Sequence, residues 1–395
     1  MLVHWLWLAT RPNMSDREKF SLLQHFQDAE DIYFAEDYAL LPEAVRSSLQ
    51  DKELKEAEGI LAACAEKNIR ICTIQDAAYP DKLKNITDPP LVLYYKGNLP
   101  EFDAQPTVAL VGTRKSSAYG YSVARRMGYQ MAQSGAVLLS GLADGIDGAG
   151  AIGGLTAGGT VVGVLGCGAD VVYPAKHKAL YADVQQRGCL ISEFPPGMPP
   201  YKWNFPKRNR ILSGLSNGVL VVEAPERSGA LITARSAAEQ GRDVFAVPGN
   251  IDMPTFMGSN ALLREGATMV TCGWDVVSEY AALYPGKVQQ GLAQPEKELP
   301  QVAEKPLYPE KHRDSDRKKE EKPIDNGAAQ PYSDIRGDLP ENAKKILDVL
   351  QKGQCHADDL AARCGLTASQ VSGMVTILQI KGIVRKKPGN ILILK

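Results

Sequence analysis

The central part of this chain alternates short apolar runs with helix-length segments, and this repetition constrains the fold more than any other feature. Seven runs rich in β-branched residues lie at 108–111, 136–139, 161–165, 190–191, 219–222, 244–247 and 268–271. Strands that are continuously apolar are buried on both faces, which is typical of a parallel sheet with helices on each side. Of the 36 glycines, 26 lie between Gly97 and Gly273, where many tight strand-to-helix turns are needed. The pattern predicts a doubly wound α/β fold.

Three other segments differ from this core, which we place at residues 86–284. Residues 1–85 carry apolar residues at helical spacing and predict a small helical domain. Residues 285–337 are rich in proline and contain a mixed-charge run at 312–322, with almost no apolar periodicity. Such a segment cannot bury enough apolar surface to fold, so we predict a flexible linker.

Residues 338–395 regain a helical pattern. A capping arrangement beginning at Asp338 starts one helix, a second helix ends at Gly365, and Thr367 caps a third. The final apolar stretch, 383–394, predicts a hairpin that turns at residues 388–390. Three short helices followed by a hairpin predict a winged-helix domain.

Composition limits the class of protein. The formal net charge of −1 excludes a globally basic nucleic-acid-binding protein but leaves room for a local basic surface. Seven cysteines without a C-x-x-C pair fit neither a disulfide framework nor a zinc ribbon, so we expect a reducing, cytoplasmic environment. Residues 1–8 are apolar but have no basic start and are followed by Arg11 and Pro12, so neither a signal peptide nor a membrane span is expected.

The loop after the first apolar run has the composition of a phosphate site. In a doubly wound sheet, ligands bind beyond the carboxyl ends of the strands. Gly112 and Thr113 there are followed by Arg114 and Lys115, just before a helix that we expect to begin near Ala118. Small residues let backbone N–H groups approach a phosphate, and an arginine can donate two hydrogen bonds to its oxygens. The alternative is that Arg114 is an ordinary solvated residue.

Segment 202–210 carries a stronger signal. Its nine residues include four cations, two aromatic residues and an asparagine between two arginines: Lys202, Trp203, Phe205, Lys207, Arg208, Asn209 and Arg210. Cations contact the phosphates of a strand, while aromatic rings stack on unpaired bases. We expect Lys202 or one arginine to contact nucleic acid and Phe205 to be partly structural. The alternative buries the aromatic rings and uses the arginines in salt bridges or in helix capping.

Evidence for catalysis is weak. Asp144 and Asp147 follow the glycine turn that begins at Ser140 and Gly141, and could hold Mg²⁺ or act as acid and base. A more ordinary interpretation has Asp147 capping the next helix and Asp144 exposed. The core holds one of the five histidines, which allows neither a histidine triad nor a histidine metal cluster there. Cys167 fits a small packing residue better than a reactive thiol. We therefore expect no catalytic residue, metal or cofactor.

Taken in order, the loops resemble the DNA-processing protein A family (DprA, also called Smf). The matching motifs run through residues 85–280 at 112–114, 140–147, 164–168, 172–174, 205–210, 222–234, 247–250 and 258–260. The resemblance implies an extended Rossmann-like core that binds single-stranded DNA and forms a homodimer. It also implies a sterile-alpha-motif-like N-terminal domain, a C-terminal winged helix, and loading of the RecA recombinase during natural transformation in bacteria.

The resemblance also implies individual DNA-binding residues. Arg114 matches the family's phosphate-gripping arginine, and Lys202, Arg208 and Arg210 match its second basic motif. The full set is Gly112, Thr113, Arg114, Lys115, Ser140, Gly141, Lys202, Phe205, Lys207, Arg208, Asn209 and Arg210. Two departures predict weaker or length-shifted DNA binding. Asp144 stands where the family usually has arginine, and residues 150–152 stand where it commonly has a His-Arg pair.

Two other functions stay open at this point. Nucleotide phosphoribohydrolases belong to the same broad superfamily, but their hallmark glutamate is absent from the corresponding loop, residues 227–235. A third hypothesis is an adaptor whose terminal domains bind other proteins. Release of free base from nucleoside monophosphates would identify the enzyme, and a core without affinity for DNA would favour the adaptor.

Overall fold

The structure, a computed structural model, forms two compact units, Met1–Lys311 and His312–Lys395, and each is described by itself. It describes residues 1–36, 38, 41–291, 340–367, 370–371, 374–375, 378, 383–387 and 391–394. Most of the predicted linker, 285–337, therefore lies outside the described residues.

A nine-stranded sheet organises the first unit. Its strands are β1 (Arg70–Thr73), β2 (Val92–Gly97), β3 (Thr107–Val111), β4 (Val137–Ser140), β5 (Val161–Leu165), β6 (Cys189–Ser192), β7 (Gly218–Val221), β8 (Asp243–Ala246) and β9 (Thr268–Met269). Their order is β1-β2-β6-β5-β4-β3-β7-β8-β9. β2 pairs antiparallel with both β1 and β6, whereas the other pairs are parallel. The predicted doubly wound, Rossmann-like sheet is confirmed.

The chain reverses direction across the sheet between β3 and β7. From β3 it moves outward through β4, β5 and β6, then returns to β7 on the other side of β3 and continues to β8 and β9. Adjacent strands that lead to opposite sides leave a crevice beyond their carboxyl ends, where doubly wound proteins bind ligands. The loops after β3 to β7 border this crevice.

Helices cover both faces of the sheet. They are α6 (Asp81–Lys84), α7 (Ala118–Gln133), α8 (Ile146–Thr156), α9 (Lys178–Arg187), α10 (Asn204–Gly214), α11 (Gly229–Glu239), α12 (Met257–Arg264) and α13 (Gly273–Val277). Successive residues of β3 enter different cores. Val108 and Leu110 pack in the cluster that includes α7, α8 and α9, whereas Ala109 and Val111 pack in the cluster that includes α10 and α11. This alternation explains why the strand is apolar at every position.

Five helices precede the sheet, as the helical spacing predicts. They are α1 (Leu2–Thr10), α2 (Asp16–Leu22), α3 (Ala29–Phe34), α4 (Glu43–Gln50) and α5 (Lys55–Glu66). A capping box starts α2: Ser15 Oγ accepts from the Glu18 amide at 3.2 Å, and the Glu18 carboxylate accepts from the Ser15 amide at 2.7 Å. The buried side chains of these helices join the apolar cluster on one face of the sheet. β1 was not predicted, and it lies within the segment expected to be helical.

The second unit has the predicted winged-helix arrangement. Its elements are α14 (Glu341–Gln351), β10 (Cys355–His356), α15 (Ala357–Cys364), β11 (Val384–Lys387) and β12 (Ile391–Leu394), with strand order β10-β12-β11. Thr367 and Gln370 form the expected cap, with 3.3 Å from the Gln370 amide to Thr367 Oγ1. Gly365 ends α15 at a φ of 63°. Asp338 and the turn at 388–390 lie outside the described residues.

Candidate nucleic-acid interface

Loops from three parallel strands meet segment 202–210 at the carboxyl edge of the sheet. A Cβ on Gly166, after β5, would lie 2.9 Å from Phe205 Cδ1. A Cβ on Gly141, after β4, would lie 2.5 Å from Arg208 Nη2. The guanidinium carbon of Arg114, after β3, lies 5.1 Å from the Phe205 ring centroid. The two motifs that the sequence singles out are therefore adjacent in space.

Arg114 and Phe205 form the centre of this surface. The Arg114 side chain is exposed, whereas Phe205 is half-buried, as expected for a partly structural residue. Phe205 also packs against Tyr173, with 5.5 Å between ring centroids. An arginine over an aromatic face is held by attraction to the ring while its N–H groups stay free to bind oxygen atoms.

Three cations at this edge are exposed: Arg114, Lys115 and Lys202. Within the described part of the chain, none of them forms an ion pair with a carboxylate. A cluster of unneutralised cations attracts a polyanion even when the whole protein is nearly neutral.

Lys207 and Arg210 lie on another side of α10 and bind protein carboxylates. Lys207 Nζ lies 2.9 Å from Asp16 Oδ2 and 3.2 Å from Glu193 Oε2. Arg210 contacts the same two carboxylates and also Asp88, with 3.0 Å between its Nε and Asp88 Oδ2. Burial raises the pKa of the Glu193 carboxyl, although both cations act in the opposite direction. The alternative left open by the sequence, salt bridges formed by the arginines, describes Arg210, and Lys207 pairs with two of the same carboxylates.

Arg208 and Asn209 face the interior of the protein. Arg208 is 4% exposed and donates a hydrogen bond to the carbonyl of Val164 on β5. Asn209 Nδ2 lies 3.5 Å from the carbonyl oxygen of Gly229. Neither side chain is presented to solvent as a DNA ligand would be, which favours a positioning role over direct contact with DNA. Arg208 fixes α10 against β5, and Asn209 connects α10 to the start of α11.

The loop after β4 is held by its own polar groups. Ser140 Oγ donates to the carbonyl of Asp147 at 3.0 Å and accepts from the amide of Leu142 at 3.1 Å. The N-cap of α8 is Gly145 rather than Asp147, so the capping role expected of Asp147 is wrong. Asp147 is buried, and its carboxylate accepts from the Gly112 amide at 3.3 Å. Burial raises the pKa of this carboxyl, with Arg208 acting to lower it.

Asp144 is engaged by a neighbouring lysine and a neighbouring histidine. Its Oδ1 lies 2.9 Å from Lys176 Nζ and 3.3 Å from His177 Nε2. Among the residues that the structure describes, no group of three or more histidine, cysteine or acidic side chains is arranged to hold a metal ion. Cys167 is buried, and burial raises the pKa of its thiol to about 11, which fits a packing residue.

The carboxylate of Glu223, just after β7, occupies the start of α7 in the crevice. The Ser117 amide lies 3.1 Å from Glu223 Oε1 and 3.0 Å from Oε2, and Ser117 Oγ lies 2.9 Å from Oε2. A Cβ on Gly120 would lie 1.7 Å from Glu223 Oε2. A helix start is a common anion site, but here the chain's own carboxylate fills it. The sequence-based expectation that this helix start would bind phosphate missed that partner.

Tyr201 and Trp203 project from the loop before α10. Their rings stack in parallel, with 4.7 Å between centroids and 10° between planes. Tyr201 is 43% exposed and Trp203 is 70% exposed. Burial of Trp203, one alternative from the sequence, is therefore wrong.

Comparison with known families identifies the chain. A family model described as DNA recombination-mediator protein A matches residues 70–281, and a model of the DprA winged helix domain matches residues 331–390. A Rossmann-like core with a basic, aromatic carboxyl edge, accompanied by a winged helix, defines a DNA-processing protein. The chain belongs to the DNA recombination-mediator protein A (DprA) family, as its motifs suggest.

Relatives and solved structures agree with this assignment. The chain is 41% identical to DNA processing protein DprA of Bacillus subtilis over 220 residues, which cover 56% of this chain and 74% of that protein. It is 33% identical to Protein Smf of Escherichia coli over 337 residues, covering 85% and 80%. The X-ray structure of DprA from Streptococcus pneumoniae superposes with a TM-score of 0.62 at 32% identity, covering 71% of this chain and 98% of that one.

A second solved structure bears on the ligand. DNA processing protein A from Helicobacter pylori has a TM-score of 0.50 at 26% identity, covering 55% of this chain and 99% of that one. That structure is described for its single-stranded DNA binding mode. Separately, none of the helices in the described residues is both long and apolar enough to cross a membrane.

Proposed function

We propose that this protein binds single-stranded DNA at the carboxyl edge of its sheet. The observation that carries the proposal is the exposed Arg114 guanidinium over the half-buried Phe205 ring, together with the exposed cations Lys115 and Lys202. This combination supplies charge for phosphates and an aromatic surface for bases, the two requirements for an unpaired strand. The single-stranded DNA binding of the Helicobacter pylori relative supports it.

The predicted site residues take two kinds of role in this proposal. Arg114, Lys115 and Lys202 contact phosphates, Phe205 contacts a base, and the backbone at Gly112, Thr113 and Gly141 allows close approach of the strand. The others position this surface without contacting the strand. Ser140, Arg208, Asn209 and Arg210 do so from the interior, and the exposed Lys207 does so through its ion pairs with Asp16 and Glu193.

An enzymatic function has less support. Hydrolysis of a mononucleotide in the crevice would require space beside α7 for its phosphate. The Glu223 carboxylate fills that space in this structure. We therefore propose a binding protein and not a nucleotide phosphoribohydrolase.

Dimerisation through the core is part of the proposal. Apolar side chains are exposed near the β9 edge of the sheet, on the loop after β8, on α12 and on β9 itself: Ile251, Met253, Met257 and Met269. Large apolar side chains that are left exposed favour a role in a protein interface. We propose that a second copy of the chain covers these apolar side chains. We also propose that the dimer loads RecA onto bound strands during transformation, and that it does so in the bacterial cytoplasm.

Titration of labelled oligonucleotides tests the DNA-binding proposal. Single-stranded and duplex oligonucleotides of equal length are titrated with the full-length protein at two salt concentrations, and anisotropy is measured. We expect preference for the single strand, and affinity falling by about 0.7 log units per log unit of salt for each phosphate neutralised. Lys55→Ala, which removes an exposed cation at the start of α5, is the control. Equal affinity for duplex, or no response to salt, would overturn the proposal.

A further inference from the structure

The stacked pair of Tyr201 and Trp203 has no part in the DNA contacts proposed around Arg114. The pair lies in a turn that the protein holds firmly. The Asn204 amide donates to the Tyr201 carbonyl at 3.0 Å, and the buried Asn204 side chain donates to the Gly166 carbonyl, also at 3.0 Å. The rings are therefore presented from a fixed backbone.

The indole of Trp203 has one covered face and one open face. Tyr201 stacks on the first, while 70% of the Trp203 residue stays accessible. A tryptophan buries a large apolar area when it packs, so leaving it exposed forgoes considerable stabilisation. Such an exposed ring is typical of a surface that binds a partner.

We propose that the open face of Trp203 stacks on an unpaired base of single-stranded DNA, which makes Tyr201, Trp203 and the base a continuous stack. This inference rests on the proposed function and adds a second base site beside Phe205. Lys202 lies between the two rings in sequence, is exposed and pairs with no carboxylate in the described residues, so it is available for the adjoining phosphate. Alternating aromatic and cationic residues match the alternation of bases and phosphates along a strand.

A nucleic acid fits this site better than a protein partner does. The surroundings of Trp203 are cationic, with Lys202 in sequence and Arg114 against neighbouring Phe205. Protein interfaces usually deplete charge at their centre and bury a broader apolar area than two rings provide.

Affinity measurements with two kinds of strand test the inference in the full-length protein. The wild type, Trp203→Ala and Trp203→Phe are titrated with labelled oligothymidylate and with an abasic strand of the same length. Loss of one stacked base should weaken oligothymidylate binding by about 5- to 150-fold in Trp203→Ala. Trp203→Phe should restore most of the affinity, and the abasic strand should bind both the wild type and Trp203→Ala equally. Phe34→Ala, which removes another exposed aromatic residue, should bind like the wild type.

The outcomes separate this inference from the proposed function. If the wild type binds no single strand, both fail. If the wild type binds oligothymidylate and Trp203→Ala binds it equally well, the base site is refuted while the function stands. If Trp203→Ala weakens both strands equally, the contact is to the backbone and stacking is refuted.

Intrinsic fluorescence gives an independent measurement. Of the four tryptophans, Trp5 and Trp7 are buried and Trp274 is half-buried, so Trp203 is the most exposed. Stacking of a base on the indole should quench its emission, and Trp203→Phe should lose most of that quenching while still binding. Equal quenching in Trp203→Phe would contradict the inference.

Discussion

Arg210 on α10 donates a hydrogen bond to Asp16 on α2, with 2.9 Å between Nη2 and Oδ2, although 194 positions separate the two residues in the chain. Lys207 Nζ lies at the same distance from that carboxylate. Residues from the basic motif therefore join the N-terminal helices to the sheet.

Replacing Asp16 should weaken this junction. Asp16→Asn removes the negative charge opposite two cations and should lower the free energy of unfolding by about 1.5–3 kcal/mol at pH 7, the range for hydrogen bonds to charged groups. Urea unfolding followed by the emission of Trp5 and Trp7, which are buried in α1, measures the loss. Glu58→Gln, an exposed change on α5, is the control and should have no effect.

The effect of Asp16→Asn should depend on pH. Although burial acts to raise it, Lys207 and Arg210 hold the pKa of the Asp16 carboxyl below its ordinary value of 3.8. A depressed pKa in the folded state stabilises the protein above the unfolded value, and this stabilisation is lost as pH falls through the folded value. The difference between wild type and Asp16→Asn should be full at neutral pH and shrink below about pH 4. A constant difference would contradict the ion-pair explanation.

Arg114 should matter for DNA binding and little for stability, because its side chain is exposed. Arg114→Ala should weaken single-strand binding by about 10- to 150-fold, and Arg114→Lys should recover part of the loss because lysine lacks the forked donors. Anisotropy titration measures the effect. Arg187→Ala, an exposed change at the end of α9, is the matched control. Wild-type affinity in both Arg114 variants would show that the residue is only solvated.

Arg208, in contrast to Arg114, should matter mainly for stability, because its side chain is buried. Arg208→Met leaves the buried Asp147 carboxylate without its neighbouring cation and should lower the free energy of unfolding by about 3–5 kcal/mol. Adding Asp147→Asn should recover part of this loss, because the uncompensated charge is then gone. Urea unfolding of the two single variants and the double variant completes the cycle. Strictly additive losses would indicate that the two side chains do not interact.

The winged-helix unit should contribute little to single-strand affinity. Residues 341–395 carry nine Lys or Arg against four Asp or Glu, but segment 368–381, where a base-reading helix is expected, contains a single cation, Lys381. A chain ending at residue 291 should therefore lose less than about tenfold, or ~1.4 kcal/mol, in single-strand affinity. The same chain should lose some binding to duplex or to a partner. A larger loss of single-strand affinity would identify the winged helix as a principal DNA site.

The sequence predicts the strands best where both faces are buried. In β3 every position is apolar because each side chain enters one of two cores, so the pattern is unambiguous. β1 starts with exposed Arg70 and lies at the sheet edge, where burial is one-sided and the apolar run is too short to distinguish from a helix. Burial on both faces therefore explains the successful predictions of β3 to β7, in which every residue is buried.

Local sequence could not predict which cations of segment 202–210 are exposed to a ligand and which form contacts within the protein. All four lie within nine residues, yet α10 turns Arg208 inward and leaves Lys202 before its first residue, exposed. The partners that decide the outcome are remote in sequence: Asp16 is 194 positions from Arg210, and Val164 is 44 positions from Arg208. Charge patterns locate the surface, but the long-range partners determine which cations remain available to a ligand.

Glu223 has a consequence for the backbone of the core. Its carboxyl group occupies the start of α7 and accepts hydrogen bonds from the Ser117 amide and hydroxyl. The start of α7 therefore needs no anion from a ligand. We expect the core to have the same backbone conformation with and without bound DNA. A surface that is preorganised in this way would spend little free energy on rearrangement if it binds and releases a strand as proposed.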